Sequence, residues 1–243
     1  MPAAREGVPV TGLRYVYAVC RPLGAPLQAD LSGVAGDPPR LLTHHGLIAV
    51  VSHVPERDFA QEPLRARLAD LDWRTETARA HQQVIDALTA VTTPLPLRPA
   101  TVFQDDSGVR VMMEEREDDF RDTLDRLAGR VEWGVKVSYA ETETVTATEA
   151  WEVEQRAARF AERLHTRLVA HADDACLRPP PPQSAQERNV LDAAYLVPRA
   201  SSEEFVEIVD RAMEEEAGMR VELTGPWAAY SFVESASFAE PVV

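Results

Sequence analysis

The apolar stretch Leu13–Cys20 (LRYVYAVC), dominated by β-branched and aromatic residues, predicts a strand with Leu13, Tyr15, Tyr17 and Val19 on one face. Gly46–Val54 (GLIAVVSHV) is a continuous apolar run and predicts a strand buried on both faces, preceded by a turn at His44-His45-Gly46. The Gly/Pro-rich stretch Pro22–Pro39 reads as a loop with room for a short strand. The spacing then turns helical. A short helix is expected over Asp58–Asp70. A longer one follows, capped by Asp72, with Trp73, Thr77, Ala80, Val84, Leu88 and Val91 on one stripe and Pro94 and Pro96 ending it. Leu95–Phe103 is extended and proline-broken, an edge strand or a loop. A further helix, capped by Asp106 or Ser107, carries Val109, Met113, Phe120, Leu124 and Leu127 and stops at Gly129.

Val131–Tyr139 has the cleanest period of two: Val131, Trp133, Val135, Val137 and Tyr139 alternate with Glu132, Gly134, Lys136 and Ser138. A helix from about Glu149 to Asp173 buries Val153, Ala157, Phe160, Leu164 and Leu168. The run Arg178-Pro-Pro-Pro-Pro-Gln183 excludes helix and reads as a stiff connector. Beyond it come a strand at Val190–Val197, a helix opened by a capping box at Ser201–Glu204 and closed by Gly218, and strands at Met219–Leu223 and Ala229–Val233 around a Gly225-Pro226 turn. The predicted fold class is α+β in two domains, residues 1–129 and 130–243. The second is close to a ferredoxin-like arrangement, an antiparallel or mixed sheet with helices on one face.

Composition narrows the function. A chain of 243 residues with 45% hydrophobic residues folds on its own core, without need of a metal or disulfide. A net charge of −15 argues against nucleic acid and against an anionic membrane surface as partners. No segment reaches the ~20 apolar residues of a membrane span, the N-terminus has no signal-peptide core, and Cys20 and Cys176 read as reduced thiols, so a cytoplasmic protein is expected.

No nucleotide-binding glycine loop, nucleophile elbow or zinc-protease helix is present. Glu162 and His165 have the spacing of a di-iron carboxylate motif, but such a site needs a second copy and two more glutamates; the pair reads as a solvated helix face. His44, His45 and His53 could be metal ligands across a hairpin only if the turn bends, since adjacent strand residues face opposite ways; they read as structural or surface histidines. Cys20 reads as a small buried hydrophobe, and Cys176 beside Asp173 and Asp174 is poorly placed to form a thiolate. The segment Leu223–Phe232 (LTGPWAAYSF) is different: Trp227, Tyr230 and Phe232 either close the core of the second domain, anchor a partner, or do both.

That segment resembles the L-T-G-P-W-P-P-Y-S-F signature of the gas vesicle GvpF/GvpL family. Tyr15–Val19 resembles the family's opening strand and Gly46–Ser52 its second. His81 with Val84-Ile85 resembles its helix, Pro94–Phe103 its P-L-R-F-G-T-V-F segment, and Glu132–Val137 its E-W-x-V-K-V strand. Pro99-Ala100 stands where the family has Phe-Gly, and Ala228-Ala229 where it has Pro-Pro. The resemblance spans roughly residues 13–233 in order. It implies a non-enzymatic accessory or minor structural protein of gas vesicle formation, located at the gas vesicle. Its implied partners are the small hydrophobic shell protein and other accessory proteins, with no cofactor, no metal and no catalytic residue. It also implies a modified ferredoxin fold for the C-terminal domain. The alternative reading is a metal- or small-ligand-binding enzyme on a ferredoxin-like scaffold.

Overall fold

The computed structural model describes residues 12–140, 147–179 and 187–233, which form two compact units, one ending at Arg126 and the other spanning Leu127–Val233. In the first unit the central strand is β1 (Leu13–Cys20). β2 (Arg40–His44) and β3 (Leu47–Val54) form a hairpin, and β3 pairs antiparallel with β1. His45 and Gly46 make the two-residue turn at φ of 46° and 79°, the left-handed pair that fits the twist of a tight hairpin.

Two short helices, α1 (Glu56–Phe59) and α2 (Gln61–Arg67), replace the single helix expected there, because Ala60 between them is extended. α3 (Leu71–Val91) follows, capped by Asp70 rather than Asp72; the Asp70 carboxylate accepts from the N–H groups of Asp72 and Trp73. The proline-broken segment becomes two two-residue strands, β4 (Leu95–Pro96) and β5 (Val102–Phe103), both laid along β1. The next helix is capped by Asp105 and breaks at Arg116 into α4 (Asp106–Glu115) and α5 (Glu117–Leu127).

Burial on both faces obliges β1 to satisfy its polar groups internally. Tyr15 accepts from Ala100 N–H at 3.0 Å and lies 3.0 Å from His81 Nδ1 on α3. Tyr17 accepts from Val34 N–H at 2.7 Å and donates to Ser52 at 3.0 Å, and Ser52 donates to the Asp37 carbonyl at 2.9 Å. A side chain at Gly33 has no room, since its Cβ would lie 2.6 Å from the Asp37 oxygen and 2.7 Å from Ser52 Oγ. This network fastens the 33–37 loop to the sheet. On the opposite face Arg14 pairs with Asp106 at the start of α4, and Val109 and Met113 are buried.

The second unit contains β6 (Arg130–Ala140), α6 (Ala147–Val169), β7 (Asp174–Leu177), β8 (Glu187–Pro198), α7 (Ser202–Glu215) and β9 (Met219–Trp227). The sheet order is β7-β8-β6-β9 with every neighbour antiparallel, which is the split βαβ arrangement of a ferredoxin-like fold. α6 and α7 pack on one face, where Phe160, Leu164 and Phe205 meet Val135, Tyr195 and Val197.

The fold class is as expected, but elements of the second unit also differ from those the sequence predicts. β7 lies just before the proline run, of which residues 180–183 lie outside the described residues. The last expected strand is a 3₁₀ turn, Tyr230–Phe232. Ser201 sits at the α7 cap position without a side-chain capping bond, and Ser202 instead accepts from Trp133 Nε1 at 3.3 Å. The edge strand β7 is short and flanked by the Arg130–Asp173 ion pair and by Pro179.

Two stability predictions follow from the first unit. Burial pushes the His81 imidazole down to about 4 from its usual 6.5. A folded-state value below the unfolded one means that the unfolded chain binds the extra proton, so the stabilisation is complete above about pH 6.5 and lost as pH falls toward 4. The loss from this one group is on the order of 3 kcal/mol. Urea unfolding between pH 7 and 4 should show this slope, and His81→Phe should flatten it. Ala100 sits at φ 66°, where the family motif carries glycine. Ala100→Gly removes that strain at the cost of backbone entropy and should raise stability by about 0.5–1 kcal/mol at pH 7.

Candidate functional site

The sheet face of the second unit that α6 and α7 leave free carries the signature segment. β9 bulges at Gly225-Pro226, where the register against β6 slips between Glu132 and Gly134, so the expected turn there is an irregularity within one strand. Gly225 has φ 128°, and a Cβ on it would meet the Glu132 carbonyl oxygen at 2.8 Å and the Trp133 ring at 3.0 Å. Beyond Trp227 the chain folds over the sheet. Ala229 and Phe232 are buried with Leu127, Ala194 and Leu196.

One carboxylate holds this segment down. Glu132, 3% exposed, accepts from Ser231 N–H and Ser231 Oγ, both at 2.8 Å, and from the Arg178 guanidinium. Arg178 also donates to Ser231 Oγ, at 3.3 Å from Nε and 3.0 Å from its terminal nitrogen. Asp192 lies beside it, 3.7 Å from Arg178 and 3.8 Å from Lys136. The three aromatic residues nominated from the sequence therefore separate. Phe232 packs in the core at 6% exposed, Tyr230 is half-buried, and Trp227 projects with 39% exposed. The strand motif around Glu132 and the terminal motif around Ser231 are two sides of one hydrogen-bonded joint.

The first unit contributes an apolar cleft of about 220 Å³ that sequence spacing alone did not reveal. Leu13, Phe59, Leu64, Leu68, Val102 and Phe103 line it, with polar Gln61, Arg65 and Gln104. Its origin is local. α2 buries none of its residues, so the side chains it turns toward the proline-broken β5 remain only partly covered; Leu68 stays 41% exposed, and the neighbouring Leu71 63%. Large aliphatic groups left open beside a concave surface mark a place where another chain can bury area.

The titratable groups sort into structural pairs. The His44 and His45 rings stack at 4.0 Å, and His45 lies 2.8 Å from Glu117, whose carboxyl is held below its usual value by His45 and then by Arg121. His53 lies 3.0 Å from Arg40, and its backbone N–H donates to Asp37. His165 is 2.7 Å from the Tyr195 hydroxyl, so the Glu162–His165 spacing does not form a pair site. Burial pushes the Cys20 thiol up to about 12, and Cys176 is half-buried. Among the described residues no group of three or more His, Cys, Asp or Glu is placed to hold a metal, and no helix is long and apolar enough to cross a membrane.

Comparison with known proteins gives a consistent answer. The model of a family described as gas vesicle synthesis protein GvpL/GvpF matches residues 13–150 and 144–234. Gas vesicle protein L of Streptomyces sp. (strain CB03234) is 49% identical over 250 residues, covering 90% of this chain and 92% of its own length. Gas vesicle protein F of the same strain is 29% identical, covering 90% and 99%. The fold is similar to the crystal structure of the gas vesicle protein GvpF from Anabaena sp. PCC7120, with a TM-score of 0.67 at 17% identity over 92% of this chain and 96% of that one.

The Glu132 joint generates a coupling prediction. Glu132→Gln should cost about 1–3 kcal/mol of stability and Ser231→Ala about 1 kcal/mol. Because both belong to one network, the double variant should fall short of the sum by at least about 0.5 kcal/mol in guanidinium unfolding. Strict additivity would show that the two groups do not act together.

Proposed function

The chain belongs to the gas vesicle GvpL/GvpF family, and from that premise we propose that it is a non-enzymatic accessory protein of gas vesicle formation that holds the hydrophobic shell protein during assembly. The observation that carries this reading is the apolar cleft of the first unit, lined by the partly exposed Leu68, on a chain of net charge −15. A shell subunit must turn a strongly apolar face toward gas, and before assembly that face drives aggregation. A soluble partner lowers the hazard if it covers apolar surface at one place and carries like charge elsewhere, since repulsion between complexes keeps them dispersed. The cleft supplies the first requirement and the acidic surface the second. The exposed Trp227 and the half-buried Tyr230 supply a second contact surface on the other unit. Other accessory proteins of the same assembly are further partners in this reading, at the gas vesicle and in the cytoplasm around it.

The two surfaces are tested separately by co-purification with tagged shell protein. Leu64→Ser with Leu68→Asp changes only residues that the fold leaves partly open, so circular dichroism should stay unchanged while capture falls about tenfold or more. Trp227→Ala with Tyr230→Ala should weaken capture to a smaller degree. A folded cleft variant that captures shell protein normally would move the interface elsewhere. Failure of the wild-type chain to capture shell protein, with normal vesicles in cells lacking the gene, would remove the functional reading.

A further inference from the structure

The outer edge of β9 is the longest open strand edge of the second unit. The sheet ends there, and among the described residues no strand lies beyond it. Open edges are usually blunted by brevity, proline or a single sign of charge. β7, the opposite edge, is blunted in that way. β9 carries a bulge and a proline only at its far end, Gly225-Pro226; before them Met219–Thr224 runs without proline, and its two charged residues carry opposite signs two positions apart. Arg220 and Glu222 share one face of the strand and pair with each other at 2.7 Å, with 68% and 41% of their side chains exposed. On the other face, Met219, Val221 and Leu223 form the flank of the core cluster, with Met219 and Leu223 only partly buried. The edge is apolar on one side and ionic on the other.

We propose that this edge pairs antiparallel with the same edge of a second copy, about a two-fold axis through Val221, giving a continuous eight-stranded sheet. The register follows from charge. In antiparallel pairing, facing residues must lie on the same side of the sheet, so their numbers sum to an even value and the axis passes through a residue. An axis at Arg220 sets arginine against arginine, and an axis at Glu222 sets glutamate against glutamate; like charges directly opposite are destabilising. An axis at Val221 sets Arg220 against the other copy's Glu222, twice by symmetry. It also places Met219 against Leu223 on the core side, so each copy covers the flank that the other leaves open. The interface is isologous, and its two ion pairs are formed by groups that already attract each other within one chain.

The test is a charge-exchange cycle on the full chain, read by sedimentation equilibrium with circular dichroism as folding control. Wild type should dimerise reversibly. Arg220→Glu alone and Glu222→Arg alone each set like charges across the axis and should weaken dimerisation about tenfold. The double exchange R220E/E222R should restore it. An equimolar mixture of the two single variants should associate more tightly than either alone, because the strands are again complementary. A wild type that remains monomeric at several hundred micromolar, or a dimer indifferent to all four charge states, would overturn the proposal.

Discussion

Glu132 sits 3% exposed on the central strand of a four-stranded sheet, and a carboxylate there is tolerated only with its oxygens fully engaged. Ser231 and Arg178 provide that engagement, and in doing so they decide where the chain goes after β9. The joint adds to the packing of Ala229 and Phe232 against Ala194 and Leu196. The first unit obeys the same constraint by other means. Its central strand, also buried on both faces, carries Tyr15 and Tyr17, and their hydroxyls are answered by a histidine, a serine and two backbone N–H groups. In both units the polar groups of a doubly covered strand select which loop may lie over it.

This explains why the sequence was legible in some places and opaque in others. β6 announced itself because its odd-numbered residues face a helix layer and its even-numbered residues do not, a period that needs no tertiary knowledge. β7 was invisible, since Asp-Ala-Cys-Leu has neither length nor alternation and exists as a strand only through β8. Ala229–Val233 looked like a strand because it is apolar, yet its backbone donor is taken by a side chain, Glu132, and no neighbouring strand is left for it. The cap of α3 was off by two because Leu-Ala-Asp-Leu-Asp offers two aspartates, and only packing chooses Asp70.

The candidate surfaces divide in the same manner. The aromatic signature was conspicuous in the sequence, but the three residues do different work: one is core, one straddles the boundary, one faces out. The cleft is hidden in the sequence because Leu64 and Leu68 look like any amphipathic stripe; that α2, entered from the extended Ala60, buries none of its residues is a tertiary fact. Composition announces an acidic, independently folding chain, whereas the place where apolar surface stays open is set by tertiary packing.

The two edges of the second sheet are unequal, and that inequality sets a valence. A sheet open on both sides can add strands indefinitely, whereas one with a proline-flanked, ion-paired edge at β7 and a free one at β9 has a single bonding position. Any edge-to-edge association is then self-terminating: once two copies meet, both free edges are consumed and nothing remains to propagate a fibre. Such chain termination separates the pairing of two copies from open-ended association.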